Sequence, residues 1–214
     1  MNGVRVVRSS IVACCLLPLA LSHDVRQPDV PLGVGFVSPR SDELQTLRFY
    51  GAPEPDQLAD MVTPIDSVTF MHGEHHVDIA TAPPYLVPEV LKLDYGMLNF
   101  RAVTLQRNWI EIVVNQRTGQ TTWVDRHSVN FVHWSDFLIN VFAVEVNDPA
   151  SNPMRLKPLD HTGVVAQADG PLRGIAVRGD WLQVSKTVFD ADGPSGWIRW
   201  RDGDRLLISY SILS

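Results

Sequence analysis

Cysteine is scarce in this 214-residue chain. There are two, Cys14 and Cys15, adjacent and close to the start. They fall in a stretch with the marks of a cleavable leader. With that stretch set aside, neither a disulfide nor a thiol nucleophile is available, so the rest must be held by its own core. Positive charge is also short. The chain has 18 Lys and Arg against 24 Asp and Glu, and removing Arg5 and Arg8 with the leader leaves 16 against 24. No Lys/Arg cluster interrupts this acidic balance. That argues against nucleic acid as a partner and makes anionic surfaces repulsive unless divalent cations bridge. No window carries a sustained helical repeat capped at both ends. No G-x-S-x-G elbow marks a nucleophilic serine.

What is present begins with that leader. Arg5 and Arg8 precede an apolar run at residues 11–21, too short to span a bilayer, and Ala20 and Ser22 are small where a signal peptidase reads. Cleavage after Ser22 makes the protein exported, periplasmic or secreted. Ile11-Val12-Ala13-Cys14 also resembles a lipobox, which would instead anchor the chain by a lipid on Cys14. Beyond the leader, 15 Pro and 14 Gly punctuate the chain densely, which suits many short strands. Apolar content of 45% and charge of 20% are ordinary for a globular protein, and the length allows one large or two small domains.

A repeat organises the remainder. Trp109-Ile110-Glu111-Ile112 is a β-branched run bounded by turn residues Arg107-Asn108 and by the turn at residues 115–119. Trp181-Leu182-Gln183-Val184 matches it in kind and order. Ala102-Val103 corresponds to Ala176-Val177, and Thr122-Trp123-Val124 to Gly196-Trp197-Ile198. The pattern of a tryptophan-led strand, a polar hairpin loop, then Gly196-Trp197-Ile198 or its counterpart resembles bacterial SH3-like (SH3b) domains. The resemblance implies an all-β fold of two tandem SH3-like small barrels, residues 44–140 and 141–214, after a leader (1–22) and an N-terminal tether (23–43). The first copy is about 35 residues longer, since Leu47 to Trp109 is 62 positions and Met154 to Trp181 only 27. The extra residues form an insertion around 68–97. The resemblance also implies a non-catalytic binding or interaction module of the cell envelope, its partner an envelope polymer such as peptidoglycan or an envelope protein. It brings no catalytic residues and no cofactor.

Other segments read as follows. Residues 47–50 make a first strand, 58–62 a second short one, and 68–71 and 77–79 a pair. Residues 88–93 and 134–141 are the best helix or turn candidates. Residues 32–41 begin to be ordered, with Val34, Phe36 and Pro39 set against the first domain. The segment joining the copies, residues 125–140, contains Phe131, Trp134, Phe137 and Leu138 and is too apolar for a flexible linker, so the domains share an apolar interface. Residues 206–213 close the chain as a strand.

Two groups of side chains are candidate sites. His72, Glu74, His75 and His76 offer three imidazoles and a carboxylate within five residues, a donor set that suits Zn²⁺. An exported metal-dependent hydrolase using them is the alternative function. Gly73 and strand-like flanks favour a hairpin tip, where alternate side chains diverge. The second group is aromatic: Trp200, Trp134 and Tyr85 could line a ligand groove, or fill the seam between domains. Trp109, Trp123, Trp181 and Trp197 are expected in the barrel cores. Asp190-Ala191-Asp192-Gly193 resembles the opening of a calcium loop, but the later oxygen ligands are missing, and a hairpin turn explains the same residues.

Overall fold

The computed structural model describes residues 30–40, 46–186 and 193–213. The leader with Cys14, the start of the tether, and Asp190 and Asp192 lie outside the described residues. Half of the structure is strand and 9% is helix, so sheets make the body. The strands of the first part are β1 (Gly35–Pro39), β2 (Leu47–Phe49), β3 (Asp66–His72), β4 (Val77–Thr81) and β5 (Val90–Lys92). There follow β6 (Met97–Leu105), β7 (Trp109–Asn115), β8 (Gln120–Asp125) and β9 (Val129–His133). One helix, α1 (Trp134–Asn140), then leads to β10 (Ala143–Val146), β11 (Met154–Arg155), β12 (Val164–Ala166) and β13 (Arg173–Arg178). The last strands are β14 (Trp181–Ser185), β15 (Ser195–Arg199), β16 (Arg201–Asp202), β17 (Arg205–Leu206) and β18 (Ile208–Ser211).

The all-β expectation holds. Among the described residues, however, the strands form several small open sheets and no closed barrel. The largest sheet has the order β8-β7-β6-β1-β9, with β5 also on β6. A second runs β12-β11-β15-β14-β13, and a third β2-β3-β4. Residues 58–62 are not a strand: Ala59–Met61 is a single 3-10 turn. Residues 88–93 are not a helix. They give β5, followed by a 3-10 turn at Leu93–Tyr95 that ends on Gly96 with φ 67°.

The repeat is visible as two antiparallel meanders, β6-β7-β8 and β13-β14-β15. Their registers agree: Glu111 faces Trp123, and Gln183 faces Trp197. Each first strand carries an irregularity at the same place, between Ala102 and Thr104 and between Gly174 and Ala176. The matched residues are therefore Ala102 with Gly174 and Thr104 with Ala176, two positions away from the alignment that sequence alone suggests. Of the four tryptophans expected in cores, Trp109 and Trp181 are buried, though on the face away from the main core, and Trp123 and Trp197 are not. Strand side chains alternate between faces, and Ile110, Ile112 and Val124 take the core face of one meander while Leu182, Val184 and Ile198 take that of the other. Trp109 and Trp181 are thereby sent to the opposite face. Trp109 is buried there against Tyr50, its indole N–H donating to the Gln57 carbonyl at 2.9 Å. Trp181 is covered by the Arg199 guanidinium 4.7 Å from its ring. Trp123 and Trp197 are only half-buried.

The described part of the tether is a wall between two cores. β1 pairs β6 on one side and β9 on the other. Val37 faces a core with Phe49, Phe100, Ile110 and Ile112. Phe36, on the other face, joins Leu32, Trp134, Leu138, Leu182, Trp200 and Ile208. Burial of the Phe36 ring stabilises the fold by about 2–3 kcal/mol on area alone. The sequence places this strand in the tether at residues 23–43 but reads 32–41 as beginning to be ordered, with Phe36 set against the first domain; Phe36 instead joins the core that holds Leu182 and Trp200. Here the glycines permit close approach: a Cβ at Gly33 would stand 2.1 Å from the Ala102 carbonyl oxygen, and one at Gly35 2.1 Å from that of Val132. The second meander has its own close approach, where a Cβ at Gly174 would stand 2.2 Å from the Leu138 oxygen of α1. A short ion-paired chain ties the parts further. Arg101 Nη2 donates to Glu89 Oε1 at 3.0 Å, and its Nε stands 2.9 Å from Oε2. The Tyr210 hydroxyl donates to the same Glu89 Oε1.

Candidate functional site

β1 and β6 start as partners and then part. Their pairing runs Gly35 to Ala102, Phe36 to Arg101 and Val37 to Phe100, and there it stops. β1 continues along β9 as far as Pro39 opposite Val129. The residues of β6 that would have matched it, Met97, Leu98 and Asn99, pair with β5. Pro39 has no N–H to offer a second neighbour. The two strands therefore enclose a wedge, a cleft of about 400 Å³. The β3–β4 hairpin forms its roof through Phe70 and Val77, and the Leu93–Tyr95 turn closes one end.

The cleft is amphipathic. Phe70, Val77, Leu93, Met97 and Leu98 give it an apolar lining. Ser38, Arg40, Asp94, Asn99, Asn130, His75 and His76 supply polar groups. An apolar floor with a few polar groups around it is the usual composition of a binding cleft. At the hairpin tip the Gly73 N–H donates to the His76 carbonyl at 2.8 Å. His76 Nε2 lies 3.0 Å from Asp78 Oδ1, and His75 Nε2 lies 3.8 Å from Glu74 Oε1. The Asp78 carboxylate folds over Gly73, where a Cβ would stand 2.5 Å from Oδ2.

The proposed metal set is thus divided. His75 and His76 reach the cleft, while His72 is exposed on β3 and Glu74 points to solvent with its side chain 89% accessible. Among the described residues no three His, Cys, Asp or Glu side chains are grouped to hold a metal ion. The reason is the hairpin itself, which alternates side chains up each strand and turns between His72 and Val77.

The aromatic set is divided as well. Trp134 and Trp200 do meet, with ring centroids 5.5 Å apart, but both are buried. The Trp134 indole donates to the Leu32 carbonyl at 3.1 Å and that of Trp200 to Gly179 at 2.9 Å. Phe36, Phe137 and Tyr210 complete the cluster. These rings fill the seam between the two parts of the chain, and Trp200 is covered by Arg201 at 4.9 Å. Tyr85 is elsewhere, packed on the other core. Its hydroxyl donates to Asp66 Oδ2 at 3.0 Å, and burial, with the Asp66 carboxylate beside it, pushes the phenol up to about 12.

Of the cleft residues, sequence reasoning had singled out His75 and His76 and passed over Ser38, Arg40, Met97, Asn99 and Asn130. Their gathering depends on where a long-range pairing ends, and no local pattern reports that. No protein-family model matches the sequence, and comparison with curated proteins returns no match.

Proposed function

We propose that this protein is a non-catalytic binding module of the bacterial cell envelope, holding a segment of peptidoglycan or of an envelope protein in the cleft between β1 and β6. The observation that carries this reading is the cleft itself: about 400 Å³, apolar inside, with amide, imidazole and guanidinium groups around it. Those groups suit a ligand with both carbon surface and hydrogen-bonding groups, as a peptide or an acylated sugar has. The imidazoles lie near carboxylates of their own hairpin rather than converging on one point, which supports recognition over bond-breaking chemistry. Export rests on Arg5, Arg8 and the apolar run at residues 11–21. Among the described residues no helix is long and apolar enough to cross a membrane.

Co-sedimentation with purified peptidoglycan sacculi tests the reading. The chain from His23 onward is expected in the pellet, and Met97→Arg, which fills the cleft with a long charged side chain, is expected to lower the bound fraction about tenfold, as loss of a central contact does. A folded Met97→Arg variant that pellets like the wild type removes the cleft from the account. Absence of the wild type from the pellet removes peptidoglycan as the ligand.

A further inference from the structure

A second opening lies between β5 and β18, away from the cleft described above. It is about 570 Å³, lined by residues 89–92 on one side and by Leu206 and residues 208–213 on the other. Side chains of a strand alternate between faces, so an unbroken run of lining residues means that a strand edge forms the wall. The register shows which main-chain groups that edge presents. Val144 of β10 sends its N–H to the Leu172 carbonyl and accepts from the Leu172 N–H, each at 2.8 Å. Both groups therefore point away from β18. In an antiparallel ladder, directly opposed residues either exchange both bonds or turn both outward. Tyr210 lies opposite Val144 and Ile208 opposite Val146. The N–H and C=O of Tyr210 thus face away from β10, and by alternation so do those of Ile208. Among the described residues, β18 pairs with no strand but β10, and β5 with none but β6.

From this we infer that the slot between β5 and β18 accepts an extended peptide as an added strand on β18. Unpaired main-chain donors and acceptors in a row are matched by another main chain in extended form. The slot is held at a set width, because the Tyr210 hydroxyl bonds Glu89 Oε1 while Arg101 grips both oxygens of that carboxylate. Leu91 and Ile212 line it and offer apolar surface to alternate peptide side chains. Lys92 lines one end, exposed and without an ion-pair partner among the described residues. It selects a carboxylate there, from an acidic side chain or a free C-terminus.

The probe is a set of fluorescent octapeptides that alternate apolar residues with Thr and end in a free Asp, titrated into the full chain by anisotropy. Binding is expected for some members. N-methylation of the alternate residues facing β18 should weaken the best binder more than tenfold, while methylation of the other alternate set should not. Leu91→Arg should weaken it similarly, and Leu156→Arg, at another exposed leucine, should leave it unchanged. Lys92→Glu should move the preference from terminal Asp to terminal Lys. Failure of every peptide to bind at millimolar concentration overturns the inference, as does equal loss from both methylation patterns. A concentration-dependent dimer of the wild type that Leu91→Arg dissolves would assign the slot to a second copy of the chain and overturn the partner peptide. Retention on sacculi depends on the other cleft, so the two tests fail separately.

Discussion

Replacing Gly174 with alanine puts one methyl group where α1 and β13 touch backbone to backbone. The added Cβ would lie 2.2 Å from the Leu138 oxygen, 3.1 Å from its carbonyl carbon and 3.3 Å from the Ile139 Cα. Those atoms are main chain, so no side chain can swing aside. An ordinary contact needs about 3.5 Å, so the helix must retreat by roughly 1 Å. A gap of that size forfeits about a quarter to a half of the attraction of each contact it opens. α1 carries Trp134 and Leu138, both in the core shared with Phe36 and Trp200. Overpacking of this kind costs about 1–3 kcal/mol, and the upper end applies because the obstacle is rigid. Alanine also restricts the unfolded chain, which returns about 0.4–1 kcal/mol. The net expectation is a loss of about 2 kcal/mol, seen as a fall in Tm of about 4–8 °C for a protein of this size. Thermal unfolding followed by circular dichroism measures it, with Gly51→Ala as the control, since nothing lies within 4 Å of a Cβ there. A Gly174→Ala protein that melts with the wild type, or above it, would refute the close approach of α1 to β13.

Other expectations follow from the same geometry. Phe36→Ala should destabilise by about 3–5 kcal/mol in urea, since the ring lies 4.6 Å from Trp134 and 4.1 Å from Phe137. Tyr210→Phe removes a hydrogen bond to a carboxylate that is 13% exposed and should cost about 1.5–3 kcal/mol by the same assay. Tyr85 has a folded pKa near 12, raised from 10.0, so its contribution is complete below pH 10 and is lost as pH rises toward 12. Tyr85→Phe should remove a late step from the phenolate absorbance titration and flatten the fall of stability in that window. Dialysis against a chelator should leave the Tm unchanged, because the Glu74 and His75 side chains are 89% and 83% accessible. A drop restored by zinc and absent in His75→Ala would revive the metal-dependent reading.

The β character of the chain and the repeated meander were legible in the sequence, because alternation and turn residues are local. Ile110 and Ile112 against Glu111 already mark one face for burial. Which face the tryptophans take follows from the same alternation, yet their bulk invites placing them in a core. That Ala102 matches Gly174 and not Ala176 was hidden because an irregularity in a strand leaves no compositional mark beyond a small residue. Order at residues 32–41 was legible, but the place of β1 between β6 and β9 was not, since Gly33 and Gly35 serve close approach to backbone far along the chain. The cleft at Ser38, Met97 and Asn130 was illegible, since it exists only where two distant strands stop pairing.

β1 is also the first described strand to leave the ribosome, and both of its faces are apolar. Its neighbours are Ala102 on one flank and His133 on the other, so it waits for tens of residues of further synthesis before either flank is covered. Contacts so distant along the chain form slowly, and an uncovered strand meanwhile is a template for association. A nascent chain of this protein therefore needs a holding factor, or a folding step postponed until its last strand has emerged.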